Sequence, residues 1–210
     1  MLAIVATSAE ASAGWHTIDR RSAGATMTHT LAAIAHASDT PRTKFSEQDY
    51  FSFSGVGAIV CTVNGERRNA TAFLVGAFDI GVTVAHTFVN QDGTWAQPAD
   101  CTYTSVDSTG QVRERIPVVQ VKAQWAAEAD AFGKPAKDFA VIRLAEPSRF
   151  AQRTMPLGKY SGAAVEVFMV GFNADIDTGT VKLKSQGRIY ERAADLSGFI
   201  HDIDARAIAA

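Results

Sequence analysis

A histidine closes the stretch Gly81-Val82-Thr83-Val84-Ala85-His86, and fifty-two residues further on a carboxylate opens Asp138-Phe139-Ala140-Val141-Ile142-Arg143-Leu144. An imidazole that gives the proton of one ring nitrogen to a carboxylate is fixed in one tautomer. Its other nitrogen is then free to act as a base. Such a pair is only part of a site for acyl transfer, which also needs a hydroxyl or thiol within hydrogen-bond reach and backbone amides for the developing oxyanion. Taken singly, each residue has a plain structural reading: His86 as a ring at a strand end, Asp138 as a turn residue accepting from a backbone amide. The two together, each at the end of a strand-like run, point to a base and the group that orients it.

The elements that must position them read as β-strands. From Phe51 onward, short runs of branched and aromatic residues recur between Gly, Asn and Asp, the pattern of an antiparallel all-β domain. The runs are 55–63, 69–75 after a turn at NGERR, 80–86, 101–107, 112–125 and 138–144. Six strands with hairpin-scale connections suffice to close a small barrel without open edges. Val82 and Val84 are expected to share one face leading to His86, and Phe139, Val141 and Leu144 to bury the strand behind Asp138. Pro117 marks an edge, bend or bulge. After the link EPSRFAQRTMPLG come 163–172, 180–192 and 199–204, two or three strands of a second unit. The reading is therefore an arm or leader over 1–50, a first β-barrel over 51–150 carrying His86 and Asp138, and an incomplete second barrel over 151–210. The Ala- and Ser-rich arm includes MTHTLAAIAHASD, which could form a short helix.

Composition narrows the partners. The 210 residues carry a formal net charge of -2 and are 47 % apolar, so no field draws in a phosphate backbone. No nucleic acid is expected. No apolar run approaches the ~20 residues of a membrane span. Arg67 and Arg68 read as a solvated hairpin turn. His16, His29, His36 and His201 do not fall at metal-ligand spacings, and neither cysteine has a C-x-x-C partner, so no metal or cofactor is expected. Cys61 and Cys101 could be two buried thiols or, on neighbouring strands, a bridge. The N-terminal MLAIVATSAEASA lacks a basic region before its short apolar core, so it is no clear signal peptide.

ATAFLVGAFDIGVTVAHTF and DFAVIRL together resemble the chymotrypsin-like (trypsin-like) serine endopeptidases, with Thr83, Val84, Ala85 and His86 similar to the family's Thr-Ala-Ala-His. The stretch from Asp138 is similar to the family's Asp-Ile-Ala-Leu-Leu-Arg-Leu around its aspartate. The resemblance runs from about Phe51 to the C-terminus. It implies two antiparallel six-stranded barrels with the site between them, His86 as general base and then acid, Asp138 as its orienter, and a protein or peptide substrate. It also implies a bridge between Cys61 and Cys101 like that of some bacterial secreted members, hence a secreted or periplasmic location.

Several features depart from the family. No Gly-x-Ser-Gly occurs in the sequence, and FIHDIDARAIAA resembles the approach to that loop in bacterial glutamyl-endopeptidase-like members, so the chain is read as ending before the serine. Ser161, Ser185 and Ser197 lack the flanking glycines that would aim two amides at an oxyanion. No Ile-Val-Gly-Gly opens the domain, so the family's activation by a freed N-terminus does not carry over. The expectation is a family member without activity in this form. Alternatives are a binding protein on the same barrel or an incomplete gene product. Uncovered apolar strands of the second unit would favour self-association.

Overall fold

Asn64 and Gly65 both adopt positive φ, 50° and 84°, and form the two-residue turn between β3 (Val56–Val63) and β4 (Glu66–Leu74). Such a turn matches the twist of the strands it joins. Val63 therefore pairs directly with Glu66, and β4 begins three residues before the expected 69. The computed structural model describes residues 3–6, 42–89, 94–123, 138–158, 165–172, 179–192 and 199–201. The segment MTHTLAAIAHASD, Trp125, Ser161 and Ser197 lie outside these residues.

From β4 the chain turns through Gly76 into β5 (Ile80–Thr83), and later forms β6 (Cys101–Val106), β7 (Val112–Ala123) and β8 (Ala140–Leu144). These six strands close in the order β3-β4-β5-β8-β7-β6, every neighbour antiparallel. Closure needs β7 to change partners along its length. Its first half pairs β6 as far as Pro117, its second half pairs β8 from Val118, and a bulge lies between Val118 and Gln120. Pro117 stands at that bend with its carbonyl accepting from the Ala145 amide at 2.9 Å.

The interior is filled from alternate positions, among them Ile59, Leu74, Phe88, Tyr103, Ile142 and Leu144, all at most 2 % exposed. In β8 the inward set is Ala140, Ile142 and Leu144, while Val141 is 38 % exposed and Phe139 only partly buried. The expected burial of Phe139 and Val141 was thus out of phase by one residue. The same period puts Asp138 on the inward parity. Val82 and Val84 do not share a face either. β5 ends at Thr83, so Val82 packs outside the barrel with Phe73 and Val170, while Val84 enters its interior.

A second sheet runs β1 (Ala3–Ala6), β9 (Val165–Phe172), β10 (Lys182–Arg192), β11 (Phe199–His201), with β2 (Thr43–Lys44) also beside β10. Parts of the expected arm are therefore folded. Ala3–Ala6 pairs along β9, and residues 42–46 lead into the helix α1 (Glu47–Ser52), which crosses the expected boundary at 50. Ser46 and Asp49 form a reciprocal capping box on that helix. Asp49 also meets Lys184 at 2.6 Å, and the Lys182 ammonium donates to the Phe53 carbonyl at 3.1 Å.

An apolar seam joins the two sheets, with Phe45, Phe53, Val56, Phe73, Met155 and Val170 at its centre. The linker after β8 is stitched down by the Ser54 hydroxyl, which accepts from the amides of Gln152 and Arg153 at 2.9 and 3.1 Å. Where β4 crosses β9, the Phe172 amide donates to Thr71 Oγ1 at 3.1 Å. Gly171 leaves room for that approach: a Cβ there would come within 2.9 Å of the same oxygen.

Candidate active site at the barrel rim

Thr83 at the end of β5 lies beside Ala140 at the start of β8. Antiparallel pairing thus brings the residues just beyond these ends to one rim of the barrel. His86 occupies a single 3-10 turn, Ala85–Thr87, entered from an extended Val84 and closed by the Phe88 amide on the Ala85 carbonyl at 2.9 Å. Ala85, Thr87 and Phe88 are buried, which anchors the turn on both sides of a ring that is itself 51 % exposed.

Asp138 reaches this turn with both oxygens. Oδ1 accepts from the His86 amide at 2.9 Å, and Oδ2 lies 2.6 Å from His86 Nδ1. The carboxylate is 19 % exposed. Burial pushes its pKa up, but the hydrogen bonds from the His86 ring and amide, with the charge of the ring when protonated, outweigh that and hold Asp138 below the usual aspartate value. An ionised carboxylate is an acceptor only, so the proton between the two groups resides on Nδ1. In the neutral ring the lone pair then falls on Nε2, on the more exposed of the two side chains. The arrangement can fix a tautomer, stabilise a protonated ring and present a base to solvent.

Arg68 was not foreseen here. Its neighbours Asn64 and Gly65 suggest a solvated turn shared with Arg67, whereas Arg68 is the third residue of β4. It stands opposite Cys61 in the β3–β4 ladder and shares the inward parity of Ala70, Ala72 and Leu74. A period-2 count back from Leu74 would have found it. Its side chain, 20 % exposed, donates from Nη1 to the carbonyls of His86 at 3.2 Å and Val89 at 2.5 Å, with Nη2 3.5 Å from Glu66. Arg67 points the other way and is exposed.

Of the three serines weighed as nucleophiles, Ser185 is described. It is 3 % exposed within the β9–β10 ladder, opposite Met169. Cys61 and Cys101 face each other across β3 and β6 and form a disulfide, both fully buried. No helix among the described residues is long and apolar enough to cross a membrane.

No family model matches this sequence, and no curated protein does. Solved structures do match it. The protease Anisep from Arthrobacter nicotinovorans is 16 % identical over 68 % of this chain and 67 % of its own, with a TM-score of 0.51. The thermostable serine protease AL20 from an extremophilic microorganism is 13 % identical over 70 % and 71 %, with a TM-score of 0.53. A scabies mite inactivated protease paralogue is 13 % identical over 72 % and 66 %, with a TM-score of 0.50. At these identities the likeness concerns the fold: a closed six-stranded antiparallel barrel with a second, partial sheet, the architecture of the chymotrypsin-like serine proteases.

Proposed function

We propose that His86 and Asp138 are the base and orienting carboxylate of a trypsin-like serine endopeptidase site, built for peptide-bond hydrolysis by acyl transfer. The observation that carries this reading is the two-point grip of Asp138 on His86, ring and amide together. One oxygen on Nδ1 sets the tautomer, and the second on the amide sets the height of the turn, so the Nε2 lone pair is held in one direction. In such a site His86 takes the proton of an attacking hydroxyl and returns it to the leaving amine, while Asp138 stays ionised. The first barrel supplies this half of the site. The ligand is a protein or peptide, and the buried disulfide supports a secreted or periplasmic location.

The 210 residues contain no Gly-x-Ser-Gly, so we further propose that this form is inactive, because the covalent route lacks its nucleophile and the amides around it. Labelling with a fluorophosphonate, which esterifies activated serines, tests this. No labelling of the folded chain is expected. Labelling that disappears in His86→Ala would place an activated serine within the chain and overturn the inactivity.

A second reading, a protein that binds peptides on the protease barrel without cleaving them, is favoured by the burial of Ser185 in a ladder. The fold itself is compatible with lost activity, since one matching structure is described as an inactivated paralogue. Peptide binding that perturbs the His86 ring resonances without turnover would support it.

A further inference from the structure

We infer that Arg68 is a positioning residue for His86, the cationic counterpart of Asp138 on the other side of the same peptide segment. The inference rests on the proposed base role of His86 and extends it to a residue outside the pair. The amide of His86 is held by Asp138 Oδ1 and its carbonyl by Arg68 Nη1, so one residue's main chain is gripped from both ends by opposite charges. The same Nη1 also binds the Val89 carbonyl, which ties down the chain just after the 3-10 turn.

Local geometry explains why a guanidinium is suited to this place. The carbonyls at the end of a helical turn have no partner within the turn. Here the end of the turn is followed by chain whose next anchors are the Ala96 amide on the Phe88 carbonyl, at 2.7 Å, and the bridge between Val89 and Trp95. Arg68 closes the gap from β4, a strand whose register is set by the Asn64-Gly65 turn and by the ladder opposite Cys61. Nη1 carries two N–H groups whose directions are fixed by the guanidinium plane, enough for both carbonyls, whereas the donors of an ammonium rotate on a flexible stem. Without Arg68 the turn keeps its contact to Asp138 but loses its counter-hold, and the ring can swing with the carboxylate.

The test is proton NMR of the His86 Nδ1–H, a strongly deshielded signal assigned by its absence in His86→Gln. It is read in the intact chain and in Arg68→Met, Arg68→Lys and Arg67→Met, with amide spectra establishing that each variant is folded. The expected result is a slowly exchanging signal in the unmodified chain and in Arg67→Met, roughly tenfold faster exchange or loss of the signal in Arg68→Met, and an intermediate rate in Arg68→Lys. A purely structural arginine would lower the melting temperature and leave the signal of the folded protein where it was. A folded Arg68→Met with unmodified shift and exchange therefore overturns the inference while leaving the His86–Asp138 reading intact. Absence of the signal from the unmodified chain overturns that reading, and this inference with it. Should Arg68→Met not fold, Arg68→Lys decides: intermediate exchange supports the role, and exchange as in the unmodified chain contradicts it.

Discussion

The two sheets hide their edges with different material. The barrel is built mainly from strands adjacent in sequence, β3 with β4, β4 with β5, β6 with β7 and β7 with β8, and needs only two non-consecutive pairings, β3 with β6 and β5 with β8, to close. The second sheet recruits its members from far apart, placing Ala3 beside Val170 and Lys44 beside Leu183. Closure over-determines position: every strand of the barrel has two neighbours, so a residue at its rim is held from both sides. His86 and Asp138 sit on that rim. The second sheet depends on short strands from elsewhere, and its ties to the barrel are a few polar contacts and an apolar seam.

The largest effect that would test this contrast concerns the disulfide that joins the neighbouring barrel strands β3 and β6. Cys61 and Cys101 close a separation of 40 residues, and removing such a loop constraint costs about 4 kcal/mol. Urea unfolding of the Cys61→Ala, Cys101→Ala double variant should show a loss of this size. A loss below about 1 kcal/mol would mean that the ladders alone close the barrel.

Lys182 is the next largest, and it lies in the second sheet. It is 2 % exposed, and burial pushes its pKa down to about 7. Its ammonium faces the Phe53 carbonyl and the rings of Phe45 and Tyr50. Since the unfolded chain binds this proton up to about pH 10.4, the folding penalty is fully present below pH 7 and shrinks as the pH rises from 7 toward 10.4. Lys182→Met should therefore be more stable than the unmodified chain by a few kcal/mol at pH 6, with the advantage falling steadily up to pH 10. An advantage independent of pH would contradict the buried-charge account.

Val5→Pro should have a smaller effect, on the order of 1–2 kcal/mol, by breaking the pairing of Val5 with Phe168. In the structure both sides of β9 are paired, by β1 and β10, so the apolar strand is covered as long as β1 stays docked. Sedimentation should then show concentration-dependent association of the variant, while His86 and Asp138 remain in contact. A monomeric variant would show that the edge needs no cover. The smallest effect is expected at Thr87 in the rim turn, whose buried hydroxyl has no hydrogen-bond partner among the described residues. Thr87→Val should gain about 1 kcal/mol in thermal unfolding.

The same contrast governs what could be read from the sequence. His86, Asp138 and the six barrel strands were legible because alternation, turn residues and spacing are local signals, and the barrel's order is close to the chain's order. Faces were less legible. Val82 and Val84 were assigned together because nothing in GVTVAH marks where the strand gives way to the turn, and Val141 looked buried by type although its parity is outward. Arg68 is hard to read because charge next to Asn-Gly has the look of a turn, and only a count from Leu74 puts it on the inward face. β1 and β2 were not legible at all. Four residues and two residues carry no periodicity, and their partners lie more than a hundred positions away. The Ser46–Asp49 capping box was legible in principle, as a serine followed three residues later by an acid.

The tautomer of His86 tests the central claim most directly. Nitrogen-15 NMR of the ring distinguishes Nδ1–H from Nε2–H at a pH where the imidazole is neutral. The account predicts the Nδ1–H form, with Nε2 unprotonated, and loss of that preference in Asp138→Asn. A ring protonated at Nε2, or a tautomer that Asp138→Asn leaves unchanged, would show that the carboxylate does not direct the base.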